Sequence, residues 1–174
     1  MIVQSEAIRE LRDKDELKEL ALLYARGVNG RDINLLRKLY TSDATDDHPG
    51  HFCGRATEYL DWLEGMFPSM MYCRHHVSNH LLVVDGNIAE GELYTIAHNI
   101  LSDGRGGFVE GIRLVRFQDQ YRKEGRWRFS RRACEYGPRF NRPLTSGLDP
   151  ARLAAEVGIS DLKHPIFVGR LGGA

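Results

Sequence analysis

The chain has 174 residues, with 24 basic and 24 acidic side chains, 28% charged residues and 42% hydrophobic ones, the profile of one ordinary soluble domain with a sizeable core. A formal charge of zero, with Lys and Arg scattered among acids, leaves no counterion-release term and argues against non-specific nucleic-acid binding. No apolar run approaches the ~18 residues that span a bilayer, and Met1-Ile2-Val3-Gln4-Ser5-Glu6 has no leader pattern, so no membrane contact and a cytoplasmic location are expected. Cys53, Cys73 and Cys134 share no zinc or redox spacing and read as small buried apolar residues. Seven histidines are left to explain, four of them between Cys73 and His98.

Along the chain, Ile8, Leu11, Leu17, Leu20, Leu23 and Tyr24 recur among Glu, Lys and Arg at helical spacings. They predict one long amphipathic helix, or two in series, from Ser5 to Asn29, closed by Asn29-Gly30. Asp32 is the expected N-cap of a second, short helix that buries Leu35, Leu36 and Leu39, with Thr41-Ser42-Asp43 breaking the pattern. Asp46 to His51 reads as a polar loop, and a third helix near Thr57 should bury Leu60, Leu63 and Phe67 before Pro68. Three helices thus precede any long strand. After Met71 the pattern turns to β: Val77 to Val84 and Ile88 to Ile100 flank Asp85-Gly86, a two-residue hairpin signal, and strands follow from Phe108 to Tyr121 and from Trp127 to Tyr136. Helices first and then a meander of long strands define an α+β layout, with helices on one face of an antiparallel sheet.

Residues 137–174 differ in character. They are rich in Pro and Gly, carry a short helix signal at Asp149-Pro150 followed by Ala151 to Val157, and hold apolar groups such as Leu148, Ile166 and Phe167. The division expected is a domain over 1–136 and a tail over 137–174 that packs on the domain or on a neighbouring subunit, with Ile166 and Phe167 as lid residues or simple docking contacts.

Within a strand, residues two apart share a face, so His75, Val77, Asn79, Leu81 and Val83 point one way and His76, Ser78, His80, Leu82 and Val84 the other. A turn at Asp85-Gly86 pairs Val84 with Asn87 and places His75 opposite Ile96, so that His75 and His98 share a face beside Tyr94 and Asn79; a slip of one residue exchanges His75 for His76. Imidazoles titrate near neutrality, and two of them can divide base and acid roles. The plain alternative is a hydrogen-bonded pair of core or surface residues. A zinc site from His75, His98 and Asp46 or Asp47 is a further alternative, without diagnostic spacing, and the His48 to His51 pair reads as a solvated loop.

The segment Leu22-Leu23-Tyr24-Ala25-Arg26-Gly27-Val28-Asn29, the following Gly30-Arg31-Asp32-Ile33-Asn34-Leu35-Leu36 and the Tyr40-Thr41-Ser42-Asp43-Ala44 step resemble the SnoaL-like branch of the nuclear transport factor 2 (NTF2-like) superfamily. So do His75-His76-Val77-Ser78-Asn79, Val84-Asp85-Gly86-Asn87-Ile88-Ala89 and Gly125-Arg126-Trp127-Arg128-Phe129, and the match covers about residues 5 to 136. The resemblance implies a cystatin/NTF2-like, cone-shaped α+β barrel in which a curved antiparallel sheet wraps three helices around one pocket. The patterns of scytalone dehydratase and hexachlorocyclohexane dehydrochlorinase, which use a His–Asp elimination dyad, are the nearest in kind. By that resemblance His75 falls on the base, His98 near a second catalytic histidine and Arg132 on a pocket arginine. Asn29 occupies the place of the dyad aspartate, while Val28 and His48 occupy those of the dehydratase's paired tyrosines. The activity implied is a cofactor-independent lyase or isomerase for a small cyclic hydrophobic compound. In it His75, His98 and Asn29 are catalytic, and Arg132, Tyr94, Asn79 and His48 contact the substrate. The competing reading is a binding protein or accessory subunit of the same fold, which the loss of the acid at Asn29 favours. A trimer or dimer of identical chains is expected, with no metal and no cofactor.

Overall fold

The computed structural model describes residues 2–144, with side chains from Ser5 onward. In chain order they form α1 (Ile2–Gly30), α2 (Ile33–Lys38), β1 (Tyr40–His48), β2 (Phe52–Arg55), α3 (Ala56–Met66), a 3-10 turn (Phe67–Ser69), β3 (Met70–Asp85), β4 (Ile88–Ser102), β5 (Phe108–Glu124) and β6 (Arg126–Leu144). The strands build one sheet in the order β2-β1-β6-β5-β4-β3. All neighbours are antiparallel except β1 and β6, which run parallel. The sheet curls around the helices but stays open, with β2 and β3 at its edges. Among the described residues no helix is long and apolar enough to cross a membrane.

α1 is one helix, and its inward stripe is Leu17, Leu20, Tyr24 and Val28, all buried at spacings of three and four. Ile8 and Leu11, expected in that stripe, are 61% and 68% exposed. The first half of the helix instead buries Asp13, which accepts a hydrogen bond from Trp127 Nε1 at 2.9 Å and another from Lys123. The end of α1 is set with care. Asp32 N–H donates to Gly27 O and Arg31 N–H to Val28 O, a Schellman pair with Arg31 at φ 56°, where glycine is usual. The Arg31 guanidinium, donating to Met70 O, holds that turn against the start of β3. Gly27 is required by packing, since a Cβ there would lie 2.6 Å from Leu36 Cδ2. Asp32 then caps α2 by accepting from Leu35 N at 2.9 Å.

The expected order of three helices before any long strand does not hold. The stretch read as a helix stop and a polar loop is β1, nine residues long, and with β2 it precedes α3. Asp and Ser are poor strand formers, so local preference points away from β. Pairing with β2 on one side and β6 on the other outweighs it, and Ala44, Asp46 and His48 alternate inward. α3 buries Ala56, Tyr59, Leu60 and Leu63, with Phe67 just beyond it.

The β3–β4 hairpin also departs from expectation. Asp85 pairs with Ile88, so the turn residues are Gly86-Asn87, a shift that by itself preserves which faces match. A bulge between Val77 and His80 does change them, because Val77 pairs with Thr95 and His80 with Leu93. Beyond the bulge His75 therefore lies opposite Ala97 and His98 opposite Arg74. Cys73, His75 and Val77 face inward and so do His80, Leu82 and Val84, whereas Leu81 and Val83 stand exposed. β6 continues through residues 137–144, past the expected domain boundary. The predicted helix at Ala151 to Val157 and the lid residues Ile166 and Phe167 lie outside the described residues.

Candidate active site

Between the concave face of the sheet and helices α1 and α3 lies a cavity of about 210 Å³. Drug-sized ligand pockets run to ~300–1,000 Å³, so this one suits a molecule of about one ring. Its walls are mostly apolar and aromatic, with Tyr24, Tyr59, Trp62 and Phe117 among them, and three histidines line it: His75 from β3, His48 from β1 and, just beyond β1, His51.

His75 is held by the last turn of α1. Its backbone N–H donates to Asn29 Oδ1 at 3.0 Å, and its Nδ1 lies 2.8 Å from the same oxygen. The backbone bond identifies that atom as the carbonyl oxygen, so Nδ1 carries the hydrogen and Nε2 carries the lone pair. Burial, and then the positive charges of Arg132, His48 and His76, hold the pKa of His75 down to about 4. At neutral pH it is an uncharged imidazole with a fixed tautomer. Cys73 closes the cluster, its Sγ 3.9 Å from Asn29 Oδ1, and burial pushes that thiol up to about 12.

His48 has the opposite character. Its Nε2 is 2.9 Å from Asp46 Oδ1, an ion-pair distance outside hydrogen-bond geometry. Nδ1 faces Tyr136 Oη at 3.1 Å and Cys134 Sγ at 3.4 Å, and the ring stacks on Tyr59 with 4.5 Å between centroids. Asp46 is fully buried and fixed by Tyr40 Oη, which donates to Oδ2 at 2.7 Å. Burial lowers the pKa of His48, but Asp46 and then Cys134 outweigh it and push it up to about 9. His48 is therefore an imidazolium at neutral pH. With a hydrogen on Nδ1, it donates to Tyr136 Oη, whose own hydrogen faces Cys134 and can pass to an acceptor in the cavity. Burial, and then Cys134, raises the pKa of Tyr136, which keeps that hydrogen in place.

Of the residues singled out from sequence, His75, Asn29 and His48 come together here. The others do not. His98 projects from the outer face, its Nε2 2.7 Å from Glu110 Oε1 and its ring edge-on to Tyr72, because the β3 bulge reverses its expected parity. Tyr94 is exposed on that same outer face, and Asn79 sits exposed in the bulge itself. Arg132 is fully buried behind the wall, in a bidentate pair with Asp119 at 3.0 Å for both bonds. The rings of Tyr24 and Phe117, at 4.1 and 4.0 Å, lie against its guanidinium and line the cavity in its stead. Asp46 and Tyr136 complete the site; the sequence offered Asp46 only as a loop carboxylate, in the zinc alternative, and Tyr136 not at all, and the i, i+2 spacing of Asp46 and His48 on one strand face was concealed by the reading of a loop. Among the described residues no group of three His, Cys, Asp or Glu side chains could hold a metal ion.

Three helices against the inner face of a curled six-stranded sheet, enclosing one cavity at its histidine-bearing end, define a cystatin-like α+β protein of NTF2 type. A model of the SnoaL-like domain matches residues 9–133, and the chain belongs to that family. Solved structures with the same fold include a candidate scytalone dehydratase from Novosphingobium aromaticivorans, 19% identical with a TM-score of 0.67 over 83% of this chain and 99% of that one. Another is hexachlorocyclohexane dehydrochlorinase LinA-type3 from Novosphingobium barchaimii, 18% identical with a TM-score of 0.69 over 82% and 97%. An NTF2-like protein from N. aromaticivorans with a cystatin-like fold is 20% identical, with a TM-score of 0.61 over 88% and 96%. At these identities the likeness is one of fold. No curated protein matches the chain by sequence.

Proposed function

We propose that the chain is a cofactor-independent lyase or isomerase acting on a small, largely hydrophobic cyclic compound. The carrying observation is that one cavity holds two histidines of opposite protonation, His75 neutral on Asn29 and His48 charged beside Asp46. Groups whose environments drive their pKa values apart divide naturally into base and acid. In this reading His75 Nε2 takes a proton from a carbon next to a carbonyl or a leaving group. His48, through Tyr136 Oη, supplies a hydrogen bond or a proton to the oxygen that gains charge. Fold neighbours named as a dehydratase candidate and a dehydrochlorinase support the class. The test is turnover of a substrate found by screening cyclic hydroxy, halo and keto compounds: His75→Gln should cut it by about 10²–10⁴ with the fold intact. Unchanged turnover sinks the assignment.

A second reading, a binding protein without chemistry, draws on Asn29, whose amide cannot stabilise an imidazolium by charge. The absence of any proton exchange with solvent deuterium in bound ligands would favour it. For self-association we propose the outer face of β4, β5 and β6. There Ile96 pairs with Leu114, Ile112 with both His98 and Phe140, and all four apolar side chains are exposed. Ile112→Glu should dissociate the oligomer in sedimentation experiments, and a monomeric wild-type chain would dismiss this surface.

A further inference from the structure

The mouth of the cavity is cationic. Arg113 on β5 and Arg139 on β6 both line it, and they are direct cross-strand partners. Two like charges facing each other across a ladder destabilise the sheet unless something lies between them. Their placement depends on a second bulge: Arg113 pairs with Arg139 but Val115 with Tyr136, so an extra residue at Gly137-Pro138 turns both Tyr136 and Arg139 toward the cavity. Other arginines of these strands have carboxylate partners, Arg122 with Asp43 at 2.6 Å and Arg128 with Glu124 at 3.2 Å. Among the described residues Arg113 and Arg139 have none; Arg126 and Arg131 on β6 also have none, but they do not line this cavity. Arg113 lies over the Tyr136 ring, its Cζ 4.2 Å from the centroid, and donates from Nη1 to His51 Nε2 at 3.2 Å. Arg139 donates from Nε to Asn141 Oδ1 at 2.8 Å. A guanidinium has five donors, so most of those on both side chains remain to be used. Burial, and then the charges of Arg113, His48 and Arg139, lowers the pKa of His51, which marks the convergence of positive field at this spot.

We infer that the ligand of this cavity is a small cyclic carboxylic acid, its ring inside against Tyr59 and Trp62 and its carboxylate at the mouth on Arg113 and Arg139. This rests on the reading of the His75 cavity as the ligand site. It narrows the substrate from any small cyclic hydrophobic compound to an anionic one. Planar guanidinium forks suit a carboxylate better than a lone neutral oxygen. The single charge sits at the rim, where it stays partly solvated, and the apolar interior is left for the ring.

Benzoate and benzamide separate charge from shape, since they share the ring and differ in the anionic group. In isothermal titration calorimetry the wild-type chain should bind benzoate at least tenfold more tightly than benzamide, and added salt should shrink that gap. Arg113→Gln and Arg139→Gln should each weaken benzoate at least fivefold with benzamide unchanged, and Arg113→Lys should keep most of the preference. The exposed Arg139 carries the test if Arg113→Gln loses the fold. Equal affinity for the two probes, no benzoate binding, or benzoate binding that survives both substitutions overturns the inference. The acid–base reading fails separately: His75→Gln would then retain turnover, while its benzoate preference, measured by binding, stands or falls on the arginines alone.

Discussion

His75 and His48 open on the same small cavity, yet one is anchored by an amide and the other by a carboxylate. Asn29 accepts from His75 Nδ1 and thereby fixes which nitrogen faces the ligand, but it adds no charge, so burial and nearby cations set the pKa at about 4. Asp46 places a carboxylate beside a buried His48, and its charge and close contact drive that histidine to about 9. Burial disfavours charge at both positions; the neighbour decides whether that preference prevails. An amide anchor preserves geometry, whereas a carboxylate anchor also sets charge. The cavity thus holds a proton acceptor and a proton donor at one pH, an arrangement that two identical anchors would not produce.

The largest effect should come from removing the acceptor. His75→Gln keeps a side chain able to reach Asn29 but has no proton-accepting nitrogen, so turnover should fall by about 10²–10⁴, the range of a lost general base. Circular dichroism should be unchanged, and loss of the fold would shift His75 from chemistry to structure. Breaking the donor side acts on stability first. Asp46→Asn leaves Tyr40 a partner but strands His48, and breaking a buried pair costs about 3–5 kcal/mol, with deprotonation of His48 relieving part of it. The sign follows from the raised pKa: with about 9 in the folded chain against an ordinary 6.5, His48 contributes stability that is complete below pH 6.5 and lost as pH rises through 9. Urea denaturation from pH 6 to 10 should show that alkaline decline in the wild type and a flatter curve in Asp46→Asn. A curve with identical slope in both would mean that Asp46 does not hold the His48 charge. Tyr136→Phe is milder. It removes the hydroxyl between His48 and the ligand but keeps the ring under Arg113, so turnover should fall by about tenfold to a hundredfold while benzoate affinity stays the same.

The contrast between the two sites also marks where the sequence could and could not be read. α1, α2 and α3 were legible because Leu17, Leu20, Tyr24 and Val28, or Leu60 and Leu63, repeat at helical spacing against solvent-facing charges. The His75–Asn29 side was legible too, through residues whose pattern a family shares. On the His48–Asp46 side the resemblance pointed to His48, but its pairing with Asp46 was hidden, because their strand, Tyr40 to His48, holds polar residues that local preference assigns to a loop. Those polar residues are the site itself, and their burial is paid for by tertiary partners distant in sequence, such as Tyr136. The misplacement of His98 has a different origin. Alternation carries face parity along a strand only until a bulge inserts a residue, and nothing in Ser78-Asn79 announces one. The same limit concealed the arginine pair at the mouth, since Tyr136 and Arg139 share the cavity only across the second bulge.

The smallest expected effect is the one that tests the contrast most directly. Asn29→Asp gives His75 the kind of anchor His48 already has, in nearly the same volume and with the oxygen that accepts from His75 N and Nδ1 retained. An opposite charge at hydrogen-bond distance favours the imidazolium by about 1–3 pKa units, so His75 should rise from about 4 toward the ordinary histidine range. A base whose pKa lies closer to the working pH transfers protons more effectively, so turnover should stay level or rise by up to about tenfold. Stability responds too: a histidine depressed to about 4 costs the native state stability as pH falls from 6.5 toward 4, and raising its pKa shortens that acid decline. Histidine NMR titrations of the wild type and Asn29→Asp measure both the shift and its direction. If the His75 signal moves up and turnover vanishes, then neutrality of the anchor is itself required. His75 would then have to begin each cycle without an anionic neighbour, as a positioned lone pair whose proton, once taken, must leave quickly for the ligand, since Asn29 gives the imidazolium nothing to rest against.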